Sequence, residues 1–219
     1  MKNYSLQSGE RYPFLDLDLI GADHISRYKY IANKLALLNR NLYGLDVFCG
    51  SGYGSKIIAE NLDGMLLAID GSQEAIFEAS KKINLSNLIF AHKLFPFNLP
   101  SLSFDFVCSL ESIEHVRDYE AFFELIVGSL KLGGSLFISA PNETTMPHDG
   151  YIWHYKHFTS DEIRNMAKKY NLEETACFST SCQLYKNGIS SYFYPYQINN
   201  HTLFDEHVGD TLFFEFKRK

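Results

Sequence analysis

Three glycines at alternate positions, Gly50, Gly52 and Gly54, follow the run Leu45-Asp46-Val47-Phe48-Cys49 and precede Ile57, Ile58 and Ala59. A glycine turn between a strand and a helix lets the backbone approach a ligand closely and aims free amide N–H groups at a negative group. The spacing reads GxGxG: a dinucleotide fingerprint GxGxxG would need glycine at position 55, which is Ser55. Asp70 ends the next apolar run, where a carboxylate can accept hydrogen bonds from both hydroxyls of a ribose. With Gly71 beside it, and Ser72 available to cap the following helix, Asp70 is read as a ligand residue of an adenosine-type site. Asp46 has two readings: it attracts the ammonium of an amino-acid ligand, or it accepts bonds from the glycine loop.

The elements that must hold these residues alternate. Ile25, Tyr28, Ile31, Ala32 and Leu35 recur at helical spacing from Asp23 to Leu38, with Asp23 placed to cap the first turn. Strands are expected at Gly44–Phe48, Met65–Ile69, Asn87–Ala91 and Phe104–Ser109, and at Ser135–Ser139 after a Gly133-Gly134 stop. Helices are expected at Ile57–Ala59, Glu74–Ile83 and Asp118–Leu130. This alternation specifies a parallel, doubly wound α/β sheet. Thr159-Ser160-Asp161-Glu162 is a capping box that opens an amphipathic helix, and strands near Glu173–Thr180 and Thr211–Phe216 would close the sheet.

With 219 residues and 46% hydrophobic content the chain suits one domain, 1–219. Residues 1–40 would supply an N-terminal lid and helix. The aromatic, polar run 183–210, with Tyr185, Tyr192, Phe193, Tyr194 and Tyr196, reads as an insertion near the acceptor site or as an ordered surface loop. A net charge of −6 argues against nucleic acid as a partner. No apolar run has the length of a signal peptide or membrane span, so the cytoplasm is the expected compartment. Cys49, Cys108, Cys177 and Cys182 form no CxxC pair and read as buried free thiols.

Taken together these blocks resemble the class I S-adenosylmethionine-dependent methyltransferases, in the small-molecule branch associated with surface-glycan and quinone biosynthesis. The likeness runs from about residue 23 to 165. It rests on His24-Ile25-Ser26-Arg27-Tyr28, Leu45 to Ser55, Ala68-Ile69-Asp70, Ser103 to Val116, Leu130 to Asn142 and His157-Phe158-Thr159. The resemblance implies a Rossmann-like, seven-stranded, mostly parallel sheet with its last strand antiparallel, and S-adenosylmethionine over the ends of the first strands. It implies that Gly50 and Gly52 lie along the methionine part, that Asp70 holds the ribose, and that Leu110 approaches the sulfonium. Arg27 would meet the cofactor carboxylate or form a surface salt bridge. Many relatives carry an acid before the fourth strand for the adenine amino group; here Lys93 stands in that region, which leaves adenine to backbone groups and to packing by Leu94 and Phe95.

Methyl transfer from a sulfonium is an in-line displacement that needs alignment, exclusion of water, and a base where the acceptor loses a proton. His115 and His154 are the candidates for that base, although His115 has the alternative of shaping the pocket through backbone bonds. His148, Asp149, His154 and His157 have unspecific metal-ligand spacing, and no metal is assigned. Tyr151, Trp153 and Tyr155 would wall the acceptor or pack over the sheet end. No Asn-Pro-Pro-Tyr type motif follows the fourth strand, so nucleobase chemistry is not expected. The expected activity is methylation of an oxygen on a small molecule, such as a sugar or nucleotide-linked precursor of a surface polysaccharide. The competing readings are a nicotinamide-dependent oxidoreductase and a non-catalytic S-adenosylmethionine-binding protein.

Overall fold

Seven strands pair, by chain order, third-second-first-fourth-fifth-ninth-sixth, which puts the strands that end at the glycine turn and at Asp70 inside the sheet, beside its third-strand edge. The computed structural model describes residues 11–13, 15–38, 40–181, 183–186, 189–192 and 205–219. The strands are β1 Leu42–Val47, β2 Gly64–Asp70, β3 Leu88–His92, β4 Phe104–Ser109, β5 Leu130–Pro141, β6 Leu172–Thr180 and β9 Thr211–Arg218. Between β6 and β9 a separate two-stranded hairpin joins β7 Gln183–Lys186 to β8 Ile189–Tyr192. The helices are α1 Ala22–Ala36, α2 Tyr53–Ala59, α3 Gln73–Lys82, α4 Tyr119–Ser129 and α5 Ser160–Lys169.

β1 pairs in parallel with β2 on one side and with β4 on the other, so the strand order reverses at β1. In an open α/β sheet, ligands settle outside the carboxyl ends of the strands at such a reversal. β9 runs antiparallel to both β5 and β6, as the resemblance implied.

Alternation along the strands sorts side chains into two apolar layers. Leu66, Ala68, Phe137 and Phe213 pack with α1, α2 and α3, whereas Val107, Leu136, Ile138, Leu212 and Phe214 pack with α4 and α5. The sheet is thereby covered on both faces, which is why its inner strands read as continuous apolar runs.

Local differences from the sequence reading have identifiable causes. Gly21, with no side-chain cap bond, is the N-cap of α1; Asp23 lies in the first turn, where it pairs with Arg27 at 3.3 Å. β5 begins at Leu130, directly after α4, and passes through the expected Gly133-Gly134 stop. Gly133 takes a φ of 73°, and a β-bulge between Phe104 and Phe106 lets Leu130 pair with Phe104 before the regular register begins. The Thr159 capping box forms as expected. Part of the supposed irregular run is the β7–β8 hairpin; Cys182, Phe193, Tyr194 and Tyr196 lie outside the described residues, as do residues 1–10 of the supposed lid. Cys49, Cys108 and Cys177 are free thiols. Among the described residues no helix is long and apolar enough to cross a membrane.

Candidate functional site

The carboxyl ends of β1, β2 and β4 open on one cavity of about 730 Å³. Gly50, Asp70, Gly71, Leu94, Phe95, Leu110, His115 and His154 all line it. The strand reversal at β1 brings Gly50, Asp70, Gly71 and Leu110 together, whereas His154 reaches the cavity from the segment after β5.

The glycine turn divides its work. A side-chain carbon on Gly50, whose φ is 57°, would meet only Arg11, at 3.9 Å, so this glycine is the one that keeps the cavity wall thin. At Gly52, φ 83°, the same carbon would lie 2.7 Å from the Phe90 ring, and at Gly54 it would lie 2.1 Å from the Tyr28 ring. Gly52 is therefore a packing and turn residue under α2 and does not line the cavity, contrary to its expected place along the methionine part.

Asp70 is 1% exposed, and three donors fix its carboxylate. Oδ2 accepts from Gly50 N at 3.0 Å, and Oδ1 accepts from Ser72 N at 2.7 Å and from Arg11 Nη2 at 3.1 Å. The acid thus holds the glycine turn of β1 against the end of β2. Ser72 caps α3 through Ala75 N, which leaves Asp70 outside the cap.

Asp46 lies beneath this surface and does not reach the cavity. Its Oδ2 accepts from Ser55 Oγ at 2.6 Å, so it bonds the first turn of α2 and neither an amino-acid ligand nor the glycine-loop amides. Burial pushes its carboxyl up to about 7; the Ser55 bond opposes the rise and nearby Asp70 adds to it.

Arg27 is also displaced from its expected role. It is fully buried, away from the cavity wall, and is neither a surface ion pair nor a cavity cation. Its Nη1 donates to Asp23 and to Thr180 Oγ1, and its Nη2 lies 3.8 Å from Glu111 Oε1. It ties α1 to the end of β6 and to the turn after β4. Glu111, with φ 47°, is held there by Ser139: its N–H donates to Ser139 Oγ at 2.9 Å, and that hydroxyl donates to Glu111 Oε1 at 2.8 Å.

At the far end of the cavity the 3₁₀ turn Ile113–His115 meets the segment after β5. Tyr155 N donates to Glu114 O at 2.7 Å, which ties the two together. The His115 and His154 rings meet edge to face with centroids 4.9 Å apart. Nδ1 of His115 bonds Trp153 O at 2.9 Å, and Nδ1 of His154 pairs with Nε2 of His157 at 2.7 Å. His157 in turn bonds Met146 O through Nδ1 at 2.7 Å; burial holds its imidazole below the usual value, opposed by that bond. Trp153 and Tyr155 line the cavity, whereas Tyr151 stacks on His154 from outside it.

Arg11 and Glu111 were not singled out by sequence reasoning, yet both line the cavity. Glu111 stood inside a quoted motif block. For Arg11 the only available signal was a basic residue in a segment read as a lid.

Residues 45–138 match a family profile described as a methyltransferase domain. A ubiquinone biosynthesis O-methyltransferase of Xanthomonas campestris is 32% identical over 123 residues, 54% of this chain and 50% of that protein. A probable S-adenosylmethionine-dependent methyltransferase of Mycobacterium tuberculosis is 28% identical over 164 residues, 73% of this chain and 58% of that protein. The chain thus spans about half the length of the curated relatives it matches. Among solved structures, the N-methyltransferase NodS of Bradyrhizobium japonicum, in complex with S-adenosyl-L-homocysteine, superposes with a TM-score of 0.66 at 18% identity. That match covers 98% of this chain and 94% of the other, and at this identity it establishes the fold.

Proposed function

We propose that this chain, whose residues 45–138 form a methyltransferase domain with S-adenosylmethionine as its cofactor, methylates an oxygen of a small-molecule acceptor. The observation that carries the reading is the single cavity that runs from Gly50 and Asp70 to His115 and His154. A volume of about 730 Å³ accommodates a nucleoside cofactor together with a small acceptor.

In this reading the chain acts as one domain. Asp70 takes the ribose hydroxyls, Gly50 lies against the methionine part, and Gly71, Leu94 and Phe95 enclose the adenine. Leu110 faces the sulfonium. The methyl group passes from sulfur to oxygen in line, so the walls chiefly align the two atoms and exclude water. His115 and His154 stand at the acceptor end.

The acceptor is an aromatic hydroxyl. Trp153 and Tyr155, tied to His115 and Glu114, give that part of the cavity ring-shaped walls, and relatives named for ubiquinone biosynthesis point the same way. A sugar hydroxyl, as expected from the resemblance to surface-glycan enzymes, is the acceptor class to be tested against it.

Calorimetric titration with S-adenosylhomocysteine, followed by transfer of labelled methyl from S-adenosylmethionine to panels of catechols and of nucleotide sugars, tests the proposal. Micromolar binding and transfer to catechols are expected. Binding of NAD without S-adenosylhomocysteine would overturn the cofactor class, and tight binding without turnover on either panel would favour a binding protein. Transfer confined to nucleotide sugars would overturn the aromatic acceptor.

A further inference from the structure

The acceptor end holds a group of side chains with the make-up of a metal site. One ligand atom from each of Glu114, His115 and His154 lies within 4.8 Å of the other two. Glu114 is 1% exposed and His154 is 8% exposed, while the His115 side chain, 28% exposed, faces the cavity. The Glu114–His115 pair comes from the turn after β4 and His154 from the segment after β5; the Tyr155 to Glu114 backbone bond holds them in register.

The histidines are oriented from behind. Nδ1 of His115 is engaged by Trp153 O, and Nδ1 of His154 by His157, which is itself fixed on Met146 O. Nε2 of His115 stands 3.9 Å from Glu114 Oε1. An imidazole whose second nitrogen is bonded to a carbonyl or another polar group is the usual outer arrangement of a metal-bound histidine.

We infer that Glu114, His115 and His154 bind a divalent cation of the zinc class, with an open coordination position on the cavity. Two imidazoles and one carboxylate suit zinc, cobalt or nickel, whereas magnesium and calcium favour all-oxygen sets. Three protein ligands and an open fourth position are the arrangement of catalytic zinc. Bonds of about 2.0–2.2 Å would draw the three ligand atoms together by about 1.5 Å at most, within the reach of side-chain rotation.

Cation binding stands on this geometry alone; its role rests on the proposed methyl transfer. The acceptor hydroxyl would occupy the open position, where the cation lowers its pKa and the proton leaves to solvent water. An oxygen lone pair then forms the O–CH3 bond as the S–CH3 bond breaks with its electrons remaining on sulfur, which yields S-adenosylhomocysteine. The two imidazoles thus act on the acceptor through the cation, and no general base is required of them.

The test uses the full, untagged chain stripped with chelator, titrated with zinc against a chromophoric competitor and with cobalt by visible absorption. One equivalent of zinc with a micromolar or tighter Kd is expected, and cobalt should give d–d bands of a nitrogen and oxygen site. His154→Ala and Glu114→Gln should each weaken zinc at least tenfold, whereas His207→Ala, at a surface position, should not. Circular dichroism checks folding; should Glu114→Gln misfold, His115→Gln replaces it. A Kd above millimolar, equal affinity in all variants, or competition by equimolar magnesium would overturn the inference. S-Adenosylhomocysteine binding by the stripped protein, measured in parallel, separates failure of the cation site from failure of the cofactor reading.

Discussion

Arg11 Nη2 stands 3.1 Å from Asp70 Oδ1, so the acid assigned to the ribose is bonded by a guanidinium from the N-terminal segment. Ribose hydroxyls that approach Asp70 must displace Arg11 or share the carboxylate with it. The Arg11 side chain is 20% exposed, and solvent screening leaves the pair about 1 kcal/mol or less. Arg11→Ala should therefore tighten S-adenosylhomocysteine binding roughly two- to fivefold by calorimetry. Weaker binding would make Arg11 a contact of the ligand itself.

Removal of the Asp70 carboxylate tests the other partner. Its loss should weaken S-adenosylhomocysteine by about 1–3 kcal/mol, or roughly 5- to 150-fold. Because Asp70 accepts from Gly50 N on one oxygen and from Ser72 N on the other, Asp70→Asn, which keeps an acceptor for only one of these amides, is the informative comparison with Asp70→Ala. Unchanged affinity in both folded variants would remove Asp70 from the ligand site.

Gly52→Ala tests the division of labour in the glycine turn. The added carbon would lie 2.7 Å from the Phe90 ring at a φ of 83°, so strain and overpacking coincide. A loss of about 2–4 kcal/mol is expected, seen as a drop in Tm of roughly 4–15 °C. Gly50→Ala, which meets only Arg11, should cost less stability and act chiefly on cofactor binding.

Periodicity made the sheet legible because its inner strands are buried on both faces and its helices on one. Gly50, Asp70, Gly71, Leu94, Phe95 and Leu110 fall at strand ends, and strand ends converge in any doubly wound sheet; their shared wall followed from order alone. Arg27 could not be placed that way. Its helix was evident, but the direction in which a long side chain turns depends on Asp23, Thr180 and Glu111, and Thr180 is 153 residues away in sequence. The same holds for Glu114 and His154, whose proximity depends on the path of the segment after β5. Gly52 was misplaced because spacing reports a turn and does not reveal Phe90 packed beneath it.

The buried Asp46 carboxyl predicts a pH dependence with a definite sign. Its pKa in the fold is about 7, raised from 3.8 by burial, so between these values the folded chain keeps a proton that the unfolded chain has released. Folded protein then binds more protons than unfolded, and stability falls as pH rises through that window; above about 7 both states are ionised and the penalty is constant. Asp46→Asn retains an oxygen for Ser55 and removes the charge, so its Tm relative to wild type should rise between pH 4.5 and pH 8, by a few kcal/mol in stability terms. Subtracting the two Tm curves cancels the contribution of every other titrating group. Parallel curves would mean that Asp46 is ionised within the fold throughout, which would require a compensating positive group beside it.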